Sequence, residues 1–305
     1  MPSHSRVSSH KDKRLTEQRN LASKNLDCMT ALKIVRLMNR EDHKVAAAVC
    51  REIPAIAKAV DEIEKRMRKG GRLIYVGAGS SGRIGVLDAS ECPPTFGTPP
   101  EIVRALIAGG RKAVTASVEG AEDKKAGARQ DLKRICVWRN DSVVAIAASG
   151  TTPYALAAVA YAKKRGALTI AVTVNRKSPL ARAATIAIAP NVGPEVLTGS
   201  TRLKAGTSQK MVLNMLSTAV MVRLGHAYDN LMIDLGETNV KLKGRAKRIL
   251  AEASGKNLSK VEHALRQSNH DLRLTLVMLK RGGSAAQARR VLDESEGNLR
   301  RALGE

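Results

Sequence analysis

The pattern of apolar and polar positions changes character along the chain. Between residues 25 and 68, apolar residues recur at the spacing of amphipathic helices, which predicts two helices, the second opening at Glu41 and Asp42. From residue 72 to residue 189, short apolar runs alternate with helical periods. Beyond residue 245 only short helical pieces remain. The order predicts N-terminal helices, a central α/β unit and a helical end.

The central part predicts a sheet of five strands. The β-prone runs lie at residues 72–76, 102–108, 142–148, 168–174 and 186–189, with helical patterns at 121–134, 154–165 and 180–184 between them. The run from Val143 to Ala148 is apolar at every position, as a strand buried on both faces requires. The predicted fold class is therefore α/β, a doubly wound parallel sheet with N-terminal helices and a small helical C-terminal appendage.

The first strand ends in a turn rich in glycine and hydroxyl groups, Gly-Ala-Gly-Ser-Ser-Gly at residues 77–82. The turn satisfies the G-x-G-x-x-G dinucleotide pattern. In NAD-binding proteins that pattern is accompanied by an acidic residue after the second strand, where this chain has Arg111 and Lys112. NAD binding is therefore disfavoured, whereas a dinucleotide whose 2′-phosphate binds Arg111 remains an alternative. Hydroxyl and backbone N–H groups instead suit a compact phosphomonoester. The predicted phosphate ligands are Gly79, Ser80, Ser81 and Gly82.

Two further segments carry hydroxyl groups. Ser149, Gly150 and Thr151 follow the third predicted strand, and ligands of parallel sheets bind at the carboxyl ends of strands, which predicts one site built from both turns. The second segment, residues 193–207, precedes a helix predicted at 208–226. Thr207 or Ser208 can cap that helix. A helix cap does not account for the other polar residues of the segment. We predict substrate contacts for Glu195, Ser200 and Lys204.

Two glutamates near these turns are candidates for proton transfer. Glu91 precedes Pro93 and Pro94, which we interpret as a rigid turn that aims it into the site, and Glu122 follows the second strand. An acid/base pair needs one protonated and one ionised carboxyl group. A surface position is the ordinary alternative for an isolated glutamate. The six histidines lie far from these motifs, so histidine catalysis is disfavoured.

Composition narrows the classes of protein. The 305 residues include 52 Lys and Arg against 28 Asp and Glu, a net charge of +24, which favours anionic ligands. The basic residues are dispersed and aromatic residues make up only 2%, so nucleic-acid binding is not expected. Four separated cysteines indicate neither a zinc site nor a disulfide framework. With no long apolar run and no signal-peptide pattern, we predict a cytoplasmic protein without a membrane span.

The motifs resemble those of the N-acetylmuramic acid 6-phosphate etherases, which have the sugar isomerase (SIS) fold and are related to glucokinase regulatory protein. The resemblance extends from about Leu15 to the C-terminus, and the segments that carry it are residues 16–20, 71–97, 118–123 and 193–210. Residues 1–14, which precede it, are polar and unpatterned and predict a disordered basic tail. The resemblance implies an SIS-type sugar-phosphate domain at 15–244 with N-terminal helices, and the helical region at 245–305 resembles the family's ubiquitin-associated-like tail.

The resemblance also implies a reaction. Water would cleave the D-lactyl ether of N-acetylmuramic acid 6-phosphate, with Glu91 as the proton donor to lactate and Glu122 as the base at C2, in a homodimer without metal or nicotinamide. Phosphate binding is carried over to Ser80, Ser81, Ser149 and Thr151. Ser80 stands where the family commonly has Thr, and Thr151 where it often has Arg. The alternative is a sugar-phosphate sensor that uses the same pocket without catalysis.

Overall fold

The computed structural model describes residues 14–236 and 240–305. The disordered tail predicted for residues 1–14 lies, apart from Arg14, outside the described residues. The helices are α1 (Ala31–Cys50), α2 (Ile53–Met67), α3 (Gly79–Phe96), α4 (Lys112–Thr115), α5 (Lys125–Arg134), α6 (Pro153–Lys164), α7 (Pro179–Ala183), α8 (Lys204–Arg223), α9 (Val240–Ser254), α10 (Leu258–Gln267), α11 (Leu272–Arg281), α12 (Ala285–Glu294) and α13 (Leu299–Leu303). The strands are β1 (Leu73–Gly77), β2 (Val103–Ile107), β3 (Ser142–Ile146), β4 (Leu168–Val172) and β5 (Ile186–Ile188).

The predicted parallel sheet is confirmed. Its strand order is β2-β1-β3-β4-β5, and every neighbouring pair is parallel. Gly77, the last residue of β1, aligns with Ile107 on one side and Ile146 on the other. The chain therefore moves outward from β1 in opposite directions, first to β2 and later to β3. A crevice forms at such a switch point, and the turns after β1 and β3 meet there.

Helices cover both faces of the sheet. On one face, α1, α2, α3 and α8 share an apolar core in which Val49, Ile63 and Leu216 are fully buried. On the other face, α5 and α6 pack on the sheet through Leu132 and Ala158. Both layers exclude water from β1 and β3, which explains why those strands are almost entirely apolar, with the buried Ser142 at the start of β3 as the exception.

The boundaries of α1 and α8 differ from the sequence-based predictions. α1 continues without interruption through Glu41, so the prediction that Glu41 and Asp42 open a second helix was wrong. Glu41 is 2% exposed in the middle of this helix. α8 begins at Lys204, four residues before the predicted start, and Leu203 in the N-cap position offers no side-chain cap.

The C-terminal helices form a core of their own, to which Tyr228, Ile233 and Leu235 also contribute. Residues 265–273 resemble residues 292–300, which lie 27 positions later, and both segments have the same local structure. Asp271 caps α11 by accepting from the backbone N–H of Leu274, and Asn298 caps α13 in the same way. α9 runs through the predicted domain boundary at 244/245, which stays a prediction. None of the described helices is long and apolar enough to span a bilayer.

Candidate functional site

A polar cavity of about 390 Å³ lies at the carboxyl ends of β1 and β3. Of the residues predicted to bind or react, those that line it are Gly79, Ser80, Ser81, Glu122, Ser149 and Thr151. Those that do not line it are Gly82, Glu91, Gly150, Glu195, Ser200 and Lys204. The structure thus brings both hydroxyl turns and one of the two glutamates into a single site.

The first turn is the beginning of helix α3. Ala78, in the N-cap position, makes no side-chain cap, so the first N–H groups of this 18-residue helix are left for a ligand. Ser80 and Ser81 add hydroxyl groups at the same place. A helix N-terminus with free N–H groups and hydroxyls binds phosphate well, because the dipole and the donors act together.

The second turn supplies hydroxyl groups from the end of β3. The hydroxyls of Ser149 and Thr151 lie 2.9 Å apart, and the Thr151 N–H donates to Ser149 Oγ over 3.2 Å. Gly150 between them has φ +71°, and a Cβ there would lie 2.2 Å from Ser178 Oγ. The turn therefore requires glycine, which supports the two hydroxyl groups without itself lining the cavity.

Ser81 is held by a residue that the sequence did not single out. Its hydroxyl donates to Gln209 Oε1 over 3.0 Å. Gln209 is 1% exposed on α8. This bond joins α3, which begins with the glycine and hydroxyl turn, to the helix that follows the 193–203 loop, and it fixes the rotamer of the serine.

Glu122 lies in a short turn at the edge of the cavity. The helix predicted at 121–134 is in fact a 3-10 turn, Ala121–Asp123, followed by α5 from Lys125. Gly120, with φ +66°, precedes the turn. Glu122 also lines a neighbouring cavity of about 160 Å³. Glu122 is thus exposed at the edge of the cavity that Ser80 and Ser149 also line.

Glu91 is placed differently from the sequence-based interpretation. Pro93 and Pro94 form no separate turn, because α3 includes both and ends only at Phe96, with Gly97 as its C-cap. Glu91 is exposed and lies 11 residues beyond Ser80, about 16 Å along the helix axis. The predicted rigid turn that would aim Glu91 into the site is therefore absent, and Glu91 does not line this cavity.

A buried polar cluster fixes α3 one turn before Glu91. Asp88 accepts hydrogen bonds from the Tyr75 hydroxyl at 2.7 Å and from the Ser217 hydroxyl at 3.2 Å. Burial raises the pKa of Asp88, although both hydrogen bonds oppose the shift. Burial, with the charges of Asp88 and Glu91, also raises the pKa of the Cys92 thiol to about 12, so Cys92 is no thiolate nucleophile near neutral pH.

Glu195 and Lys204, predicted to contact substrate, are buried and do not line the cavity. Glu195 is 2% exposed, and its carboxylate accepts the backbone N–H groups of Lys204 and Ala205 at 3.1 and 2.9 Å. It thereby supplies the cap that the start of α8 lacks. Lys204 is 1% exposed and its ammonium group lies 2.7 Å from Glu41 Oε2. Their role is to position the 193–203 loop, from which Gly199 and Thr201 reach the cavity.

Glu41 is the centre of this buried network. It also accepts hydrogen bonds from Lys44 at 2.5 Å and from the Asn20 amide at 2.9 Å. Burial alone would raise its pKa, but the hydrogen bonds from Lys204, Lys44 and Asn20 outweigh burial and hold the pKa at about 2, below the ordinary 4.5. The network therefore depends on an ionised Glu41.

Replacing Glu41 by glutamine is expected to destabilise the protein by about 3–5 kcal/mol near neutral pH, because Lys204 is left buried without a counter-charge. In the wild type, the stabilisation that comes from ionised Glu41 is fully present above pH 4.5, the ordinary pKa of glutamate. It is lost as the pH falls towards about 2, the pKa of Glu41 in the folded protein. The free energy of unfolding of Glu41→Gln should lack this dependence on acid. Urea unfolding measured across that pH range tests it, with the exposed Glu101→Gln as control. Parallel pH profiles for wild type and Glu41→Gln would contradict the assignment.

The sequence-based prediction missed the N-terminal side of the cavity. Arg14, Thr16 and Glu17 line it, although nothing in their spacing marks them as ligands. Thr16 O accepts the Gly199 N–H over 3.1 Å, which holds this segment against the 193–203 loop. The resemblance of residues 16–20 to a known family was the one available signal. In the described ranges, no group of three or more His, Cys, Asp or Glu side chains could hold a metal ion.

The fold and the cavity define an SIS-domain protein. A family model described as the glucokinase regulatory protein N-terminal SIS domain matches residues 55–163, and one described as the SIS domain matches residues 126–219. A phosphoheptose isomerase from Francisella tularensis superposes with a TM-score of 0.50 at 18% identity, covering 64% of this chain and 100% of that one. At this identity the likeness shows the fold alone.

Proteins with similar sequences define the family more narrowly than the fold does. A protein from Clostridium beijerinckii is 51% identical over 290 residues, which are 95% of this chain and 95% of the relative. A protein from Yersinia pestis is 51% identical over 289 residues, 95% of this chain and 98% of the relative. Both are named N-acetylmuramic acid 6-phosphate etherase. The chain belongs to the N-acetylmuramic acid 6-phosphate etherase family.

Proposed function

We propose that this protein is a cytoplasmic enzyme that cleaves the D-lactyl ether of N-acetylmuramic acid 6-phosphate with water, giving N-acetylglucosamine 6-phosphate and D-lactate. The observation that carries the proposal is the position of Glu122 beside a phosphate-binding turn in one cavity. Identity to the named etherases along almost the whole chain supports it. Hydroxyl groups and the α3 N-terminus bind the phosphate, and the sugar extends from there past Glu122.

The proposed chemistry is an elimination followed by addition of water. The open-chain sugar has an aldehyde at C1, which acidifies the proton at C2. Glu122 removes that proton, the C3–O bond breaks, and lactate leaves with its electron pair and with a proton from Glu91. Water then adds to C3 of the unsaturated aldehyde while C2 regains a proton. The step thus uses one carboxylate as base and one carboxyl group as acid.

A homodimer explains how Glu91 can act although it lies outside the cavity of its own chain. An apolar groove of about 810 Å³ runs between α2 and α8 on the same side of the protein as α3. Large apolar side chains are exposed in the groove, Ile53 by 49% and Val222 by 47%. Outside the groove, Leu87, one turn from Glu91, is 51% exposed. Contiguous apolar surface of this kind marks an interface. We place a second copy on this face, so that Glu91 of one copy serves the cavity of the other.

The test is to incubate the purified protein with N-acetylmuramic acid 6-phosphate and to measure D-lactate and N-acetylglucosamine 6-phosphate. Equal amounts of both products are expected, without added metal or nicotinamide. Unphosphorylated N-acetylmuramic acid is the control and should release little lactate, because the phosphate site stays empty. Tight binding of the phosphorylated sugar without lactate release would instead identify a sensor.

A further inference from the structure

The segment from Arg14 to Asn20 forms one wall of the cavity, and it is anchored to distant parts of the chain. The Asn20 amide donates to Glu41 Oε2 at 2.9 Å and to Pro194 O at 3.1 Å. Glu41 in turn is paired with the buried Lys204. The Gly199 N–H also donates to Thr16 O. The segment is therefore held in place at Thr16 and at Asn20.

Within this segment Glu17 has a defined position. Thr16, which is 3% exposed, donates its hydroxyl hydrogen to Glu17 Oε1 over 2.8 Å. The other oxygen, Oε2, lies against Gly199, 3.8 Å from where a Cβ would stand at that glycine. Thus one oxygen is held by a buried hydroxyl group, while the carboxylate as a whole lines the cavity that also contains Ser80 and Ser149.

A carboxylate close to a bound phosphate weakens phosphate binding, because like charges at short range repel each other. Its presence in the cavity therefore suggests that it makes a favourable contact with another part of the ligand. The sugar that carries the phosphate offers hydroxyl and amide N–H donors, and a carboxylate is a strong acceptor for them. We propose that Glu17 contacts the substrate and determines specificity, accepting a hydrogen bond from a hydroxyl or N–H group of the amino sugar. This inference rests on the proposed function, since it concerns the substrate of the same cavity.

The proposal predicts opposite effects on two ligands. Glu17→Ala should weaken binding of N-acetylglucosamine 6-phosphate about 10- to 100-fold, the loss typical of a hydrogen bond to a charged group. Inorganic phosphate offers no sugar donors, so its affinity should stay unchanged or rise when the negative charge is removed. Glu17→Gln keeps an acceptor for the Thr16 hydroxyl and should show a smaller loss. Calorimetric titration of the full-length protein measures both ligands, with the exposed Glu101→Gln as matched control.

Three outcomes separate the possibilities. Wild-type affinity for the sugar phosphate in Glu17→Ala would overturn the inference and leave the proposed function intact. Equal weakening of sugar phosphate and phosphate in both variants would also overturn it, because it would indicate a structural role only. If the wild-type protein itself bound neither N-acetylmuramic acid 6-phosphate nor N-acetylglucosamine 6-phosphate, the proposed function would fail together with the inference.

Discussion

Alanine at Glu122 is expected to abolish both D-lactate release and exchange of the C2 proton with solvent, whereas alanine at Glu91 should abolish lactate release and keep the exchange. Proton removal at C2 needs only the base, while departure of lactate also needs the acid. Loss of either group should lower the rate of lactate formation by about 10²- to 10⁴-fold. NMR in deuterated water reports exchange at C2, and an enzymatic assay reports lactate in the same samples.

The exchange experiment distinguishes the two roles. If Glu91→Ala lost the exchange while Glu122→Ala kept it, the assignments would have to be reversed. Glu119→Gln is a useful control, because Glu119 lies three residues from Glu122 and lines only the smaller neighbouring cavity. Its exchange and lactate rates should remain close to those of the wild type.

Mixing the two inactive variants should restore activity. In a dimer of Glu91→Ala with Glu122→Ala, one cavity has its own Glu122 and receives Glu91 from the other copy, while the second cavity lacks both. If half of the dimers are mixed and each has one intact site, about a quarter of the wild-type rate is expected from a two-fold dimer. Co-expression with two different tags allows the mixed dimer to be purified and assayed.

Failure of the mixed dimer to recover activity would show that Glu91 does not act across the interface. Dimers that carry the same substitution in both copies are the controls, and they should remain inactive after the same treatment. Recovery in the purified mixed dimer alone would assign the two glutamates of one site to different chains.

The strands were predictable because their environment leaves little choice of residue. β1 and β3 are covered on both faces, so apolar residues occupy nearly every position, and the resulting runs are visible without any tertiary information. The turns after them were also predictable, since the carboxyl ends of adjacent parallel strands meet at one edge. The hydroxyl groups at both ends therefore indicated a single site before any contact was known.

The start of α3 was misjudged because its glycines suggested a loop. Gly82 and Gly85 belong to the helix, and they are there because the helix lies very close to the sheet. A Cβ at Gly82 would lie 2.8 Å from Gly77 O, and one at Gly85 would lie 3.0 Å from Tyr75 Cβ. Local propensity disfavours glycine in a helix, but the close approach to β1 requires it.

The burial of Lys204 could not be predicted from local sequence. Its partner Glu41 lies 163 positions away, and each residue alone resembles an ordinary surface charge. Only the fold brings α1 beside the start of α8. The same limit applies to Glu17, whose neighbours in the cavity come from the ends of β1 and β3.

The bond from Asn20 to Pro194 joins positions that are 174 residues apart. A ribosome makes Asn20 among the first residues of the chain, yet its partners in the 193–204 region emerge only after all five strands have been made. The segment that carries Glu17 can therefore take its place only at the end of synthesis of the SIS domain. A truncated chain that stops before Pro194 has both hydroxyl turns but cannot anchor this wall, so the cavity is completed only when residues 193–204 are present.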